Sequence, residues 1–312
     1  MPFGGLWVVA TLAASGAQTL RNAMQRDLIG ALGAVGAAQV RFLFGLPFAV
    51  LFLVAMVPAT GLPLPPLNLA NLGWTLLGAV SQVIATAMML SAMRTRSFVV
   101  TIAYTKTEPA QIALFGLVAL NDMPTPALLL AIAIATLGVL MMSVRSRADL
   151  ASDWRSALLG LFSATFFAFA AIGFRAAVIG VATPSRPLAA SVILVAGLAI
   201  QSAILAVWLA LVDRAGARAI LRSWRASMFA GFMGALASQL WFIAFALTDA
   251  ARVRTLALVE VPLAPDRLAQ DVARAADGAR EPWRRTYPRR RRHPDLAGRL
   301  TLPPDIRTGE SR

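Results

Sequence analysis

The chain has 312 residues, 58% of them hydrophobic and 14% charged, with a formal net charge of +14 and a mean hydropathy of +0.69. A soluble domain carries about 25% charged residues, and the apolar residues here fall in runs of about 20, enough to cross roughly 30 Å of hydrocarbon. There is no cysteine, which excludes disulfides and thiolate-bound metals, and the one histidine, His293, sits in a basic tail, which argues against a histidine metal site or catalytic triad.

The expected fold class is therefore an all-α integral membrane protein, a multi-pass helical bundle. Of the 29 basic residues only Lys106 is a lysine. That arginine bias points to a GC-rich genome and to a bacterial inner (plasma) membrane. Helix-length apolar runs predict nine spans, at about Leu6–Leu20, Ala34–Val57, Leu72–Met93, Ser97–Leu120, Ala127–Met142, Ser156–Val181, Leu188–Val212, Met228–Leu247 and Ala251–Ala264. The start "MPFGGLWVV" lacks a positive n-region and more spans follow, so it reads as a first span and not as a cleaved signal peptide. Turns such as "RTR", "NDMPTP" and "TDAARVR" are short, which makes successive spans antiparallel neighbours.

Arg41 lies deep in the second span, where it is expected to attract a carboxylate-bearing solute or pair with Glu108 or Glu260. The fourth span, "AYTKTEPAQIALFGLVAL", holds both Lys106 and Glu108. An intramembrane charge costs roughly 2.5–3.5 kcal/mol on insertion scales and commonly faces a cavity. On a regular helix Thr101, Tyr104, Glu108 and Gln111 form one polar stripe. Lys106 lies about 200° around from Glu108, so the two do not pair on a regular helix. Pro109 removes a backbone donor and exposes a carbonyl in the turn before it. Gln82 and Gln239, on the third and eighth spans, read equally as solute ligands or as amide links between helices. For Met88, Met89 and Trp241, packing or lipid contact is favoured over lining a pocket.

The order of elements repeats. Aligning Pro109 with Pro262 also matches Thr95 with Thr248 and Val100 with Val253, and it makes Glu260 the second-half counterpart of Glu108. Such internal repeats of opposite orientation are a feature of secondary carriers. The stretches "RFLFGLPFAVLFL", "SAMRTRSFVVTIAYTKTEPAQIALFG" and "TLALVEVPLA" resemble the EamA family of the drug/metabolite transporter superfamily, over about Leu6 to Ala264. The resemblance implies two inverted five-helix repeats and transport of small metabolites or amino-acid-like solutes, with export the favoured direction. It divides the chain into a first repeat at 1–143, a linker at 144–155, a second repeat at 156–264 that lacks its last helix, and a basic tail at 265–312.

That tail holds twelve arginines, seven acidic residues and six prolines, and is expected to be disordered. A basic segment beside a membrane can also bind anionic lipid. The codons for Pro265 to Gln270, read with one base removed, are compatible with Gln-Ile-Val-Ser-Arg-Arg, and runs of CGN arginine codons become GNC codons. A frameshift that replaces the tenth helix is therefore the favoured origin of the tail, and a truncated, non-transporting product is the alternative function. Basic residues concentrate in the odd-numbered connections (Arg21 and Arg26, Arg94 and Arg96, Arg145 to Arg155, Arg214 to Arg225), against Arg186, Arg252 and Arg254 in the even-numbered ones. By the positive-inside rule this places the N-terminus outside. The basic residues lack aromatic interleaving, so nucleic acid is not an expected partner. The expected partners are a small solute, membrane lipid, a proton as coupling ion and, as an open possibility, a second copy of the chain. No phosphate loop, nucleophile–base set or cofactor motif appears, so neither an enzyme nor a cofactor is expected.

Overall fold

The computed structural model describes residues 5–92, 104–143 and 154–258, and all regular structure among them is helical. The helices are α1 Leu6–Leu43, α2 Leu46–Thr60, α3 Leu69–Ala92, α4 Glu108–Leu120, α5 Pro126–Ser143, α6 Trp154–Ile179, α7 Arg186–Val212, α8 Arg214–Arg222, α9 Trp224–Leu247 and α10 Ala250–Ala257. Among the described residues five helical stretches are long and apolar enough to cross a membrane: Val35–Thr60, Leu69–Met89, Leu158–Ile179, Arg186–Val212 and Ser227–Leu247. Glu108–Leu120 and Pro126–Gly138 are shorter apolar helices.

In hydrocarbon a backbone must satisfy its own hydrogen bonds, which favours helices for these apolar runs. The outward faces fit the same solvent. Leu51 and Val54 on α2, and Leu130, Ile134 and Met141 on α5, are exposed aliphatic side chains.

α1 is two helices joined at Gly33, whose φ of +72° and ψ of 176° suit glycine and strain any residue with a Cβ. The chain folds back there, because Gln25 Nε2 donates to the Ala37 carbonyl at 2.9 Å. A continuous helix would separate those residues by about 18 Å. The first helix thus runs well past Leu20, the predicted end of span one. Arg21 and Gln25 are buried inside the bundle, 3% and 1% exposed, whereas the sequence pattern placed Arg21 in a connection.

Local chemistry sets the other ends. Ser185 caps α7 by accepting from the Leu188 amide at 3.3 Å. Asp213 caps α8 by accepting from the Gly216 amide at 2.8 Å. α8 is a short amphipathic segment that buries Ile220 and exposes Arg214 and Arg222.

The closest pairings are α3 with α6 and α1 with α9. At the α3–α6 crossing a methyl group on Gly173 would stand 2.8 Å from the Gly78 amide nitrogen and 2.9 Å from the Trp74 carbonyl. The two backbones meet with no side chain between them, the small-residue packing expected where lipid supplies no hydrophobic drive. Phe174 and Phe242 pack at the centre with ring centroids 4.6 Å apart.

One end of the bundle is tied by Arg175, near the end of α6. Its Nε and Nη2 donate to Asp122 in the α4–α5 connection at 2.9 and 3.1 Å. Its Nη1 donates to the carbonyls of Phe245 and Thr248, and Nη2 lies 3.4 Å from Asp249 Oδ1. At the same end Asn71, starting α3, donates to the Ala177 carbonyl at 3.2 Å.

The fourth predicted span departs from a continuous helix. Tyr104 and Thr105 are helical, Lys106 and Thr107 form a turn, and α4 starts afresh at Glu108. Pro109 near the first position supplies the reason, since it lacks the N–H that a continued helix would use. The ninth predicted span is described as far as α10 and Leu258. Thr101, Glu260, Pro262, most of the 144–155 linker and the whole 265–312 tail lie outside the described residues.

Candidate functional site

Glu108 opens α4, where the helix dipole favours a negative charge. Its Oε1 lies 3.3 Å from Arg254 Nε on α10, and both side chains are only 13% exposed. The pair therefore bridges one helix from each half of the chain. Arg254 also stacks over Trp241, its Cζ 4.4 Å from the ring centroid, with the Phe245 ring at 5.6 Å. Trp241 in turn donates from Nε1 to Gln18 Oε1 on α1 at 3.2 Å. A carboxylate, a guanidinium, an indole and an amide from α4, α10, α9 and α1 thus form one chain of contacts.

Arg41 belongs to the same region. It is 4% exposed, and its Nε has no hydrogen-bond partner among the described residues. Its charged neighbours are Arg21 and Arg254, both of which repel it. The expected pairing of Arg41 with Glu108 is not made, because Glu108 meets Arg254 instead.

The remaining candidates are distributed differently. Gln111 donates to Thr107 Oγ1 at 3.3 Å, and Thr107 Oγ1 donates to the Tyr104 carbonyl at 2.7 Å. These bonds stabilise the break in span four. Because of that break, Tyr104 and Glu108 are not on one regular helix, and the expected four-residue stripe is interrupted between them. Lys106 sits in the turn, half-buried. Gln82 accepts from Gln201 Nε2 at 2.7 Å, which links α3 to α7. Gln239 donates to Ser191 Oγ at 2.9 Å, which links α9 to α7. Both amides act between helices, as polar links do in membranes. Trp241 is 3% exposed and its indole is engaged on one side by Arg254 and at its N–H by Gln18, more than the packing role favoured from the sequence.

Several residues of this arrangement escaped the sequence reading. In the sequence Arg21 and Arg254 read as turn charges, because each follows or precedes an apolar run. Arg175 had a usable signal: it interrupts the run Ser156–Val181, and an intramembrane charge marks a site by default. Its partners Asp122 and Asp249 looked like ordinary turn acids. Beside them Asp122, Asp249, Gly116 and Ile172 line a recess of about 10 Å³, room for one water. Among the described residues no group of three or more His, Cys, Asp or Glu is placed to hold a metal.

Apolar helices of spanning length, lipid-type outward faces and a largely covered ion pair between helices define a helical membrane protein. No protein-family model matches the chain, and no curated protein matches it.

Proposed function

We propose that the chain is a secondary carrier that moves a small metabolite or amino-acid-like solute across a membrane, in the manner of the EamA-like proteins its motifs resemble. The observation that carries this reading is the Glu108–Arg254 pair, a carboxylate and guanidinium each only 13% exposed that join the two halves at a broken helix. Buried ion pairs are poor stabilisers compared with apolar packing, so their retention favours a working role. Broken helices in carriers place backbone groups and charges at the solute site.

The pairing of helices supports two inverted repeats. If α1 before Gly33, α3 and α4 correspond to α6, α9 and α10, then the α3–α6 pairing maps onto α9–α1 and the α4–α6 pairing onto α10–α1. α4 against α10 maps onto itself, as contacts across a two-fold axis do. In this reading Glu108 alternates between Arg254 and a proton. Uptake of a proton from one side neutralises the carboxylate, releases Arg254 and lets the halves repack, with export as the working direction.

Reconstitution tests it. The purified chain in liposomes is expected to release labelled amino acids down an imposed proton gradient, and Glu108→Gln is expected to abolish that release with insertion unchanged. Undiminished release by Glu108→Gln would leave the pair as a structural link. No release by the chain as it stands, for any solute class, would favour the truncated, non-transporting alternative.

A further inference from the structure

Among the described residues Arg41 is a buried cation with no carboxylate beside it. It is buried, its Nε lacks a hydrogen-bond partner, and no described carboxylate pairs with it. Removing an ion from water costs several kcal/mol even after relaxation, and a buried charge without a partner is strongly destabilising. Like charges make this worse, since Arg21 and Arg254 are its charged neighbours.

The side chains also share one track along α9. A methyl group on Gly234 would stand 3.1 Å from Arg41 Cγ and 3.4 Å from Arg21 Cδ, so both stems lie over the bare backbone at that residue. Seven residues on, Trp241 carries Arg254 on its ring face. Two helical turns separate these points by about 10 Å on the same face of α9. Glu108 is held 3.3 Å from Arg254 at the far end of the track.

We propose that Arg41, with Arg21 and Arg254 beside it, holds the oxyanion group of the solute, so that the cargo carries a carboxylate or phosphate. This rests on the carrier reading above and narrows it. A planar guanidinium offers two parallel donors that match a carboxylate or phosphate oxygen pair. The counter-charge that Arg41 lacks is thus supplied by the cargo, and binding recovers part of the cost of keeping the guanidinium buried.

The test is thermal stability of the full chain in a neutral detergent, at ionic strength fixed with sodium chloride, with sodium succinate and sodium phosphate as probes. At least one probe is expected to raise Tm saturably in the unaltered chain. Arg41→Gln is expected to abolish that rise while raising the ligand-free Tm by about 2 °C or more, because it removes an uncompensated charge. Gly234→Ala keeps every charge but crowds both stems, and is expected to weaken the rise at least tenfold in probe concentration. Arg222→Gln, on the exposed face of α8, is expected to retain it. The inference is overturned if neither probe exceeds the sodium chloride control, if Arg41→Gln keeps the rise, or if Arg41→Gln lowers the ligand-free Tm. A rise that depends on Arg41 but comes only from added phosphatidylglycerol overturns it too, by assigning the anion to lipid. Failure of the carrier reading looks different: probes then bind through Arg41 but no solute crosses liposomes. Conversely, liposome transport confined to neutral or cationic solutes overturns the anion assignment and leaves the carrier standing.

Discussion

At the scale of single residues, the arrangement turns on which charge meets which. Glu108 and Arg254 form one pair, so under the proposed carrier function their effects on transport are expected to be coupled. Glu108→Gln and Arg254→Gln are each expected to lower transport at least tenfold, and the double variant is expected to lose little more than either single one. A double-mutant cycle with additive losses would place the two residues in separate roles. Arg175 tests stability instead. Removing it strands Asp122 and the carbonyls of Phe245 and Thr248, which now accept from it. Breaking a buried pair on one side costs about 3–5 kcal/mol, so Arg175→Met is expected to lower the detergent Tm markedly, and Asp122→Asn by less. Glu108 and Arg41 were legible in the sequence because each interrupts an apolar run. Their partners were not, because charges beside turns such as Arg254 carry no mark that distinguishes a solvated turn from a helix packed against its neighbour.

At the scale of elements, apolar runs of spanning length were easy to read, since lipid requires them whatever the tertiary fold. Ends and breaks were harder. The pattern closed the first span at Leu20 because Arg21, Asn22 and Gln25 follow. The helix continues because Gln25 bonds across the fold at Gly33 and α9 covers that polar face. Gly33→Ala places a Cβ at φ +72° and is expected to destabilise the hairpin by about 1–3 kcal/mol, seen as a lower Tm with the helical circular-dichroism signal preserved. The α3–α6 crossing offers a sharper test. Gly173→Ala puts a methyl group within 3.0 Å of three backbone atoms of α3, which no rotamer change relieves. It is expected to lower stability by at least as much as Gly33→Ala, whereas an unchanged Tm would mean that the two helices are free to separate.

At the scale of the whole molecule, the lack of cysteine makes orientation directly measurable. Arg175 gathers the α4–α5 connection and the α9–α10 turn at one end, and Asn71 joins the start of α3 to the end of α6 there. The short helix α8 follows α7 and therefore belongs to the opposite end. By the positive-inside rule its arginines are expected to face the cytoplasm. Met123→Cys is accordingly expected to react with a membrane-impermeant maleimide in intact cells, and Ala215→Cys only after permeabilisation. The reverse labelling would invert the topology without altering the fold.

The knot around Arg175 has a kinetic consequence. One side chain holds a loop, a turn and two helix ends together at a single end of the molecule, and Glu108 with Arg254 is the corresponding tie deeper inside. For a carrier, the Arg175 end opens only when several acceptors let go at once, so that opening is expected to slow the cycle in both directions. Asp249→Asn weakens the knot without removing the arginine. It is expected to speed solute exchange through that end while leaving net accumulation unchanged, since a catalyst with a lower gate barrier still obeys the gradient that drives it.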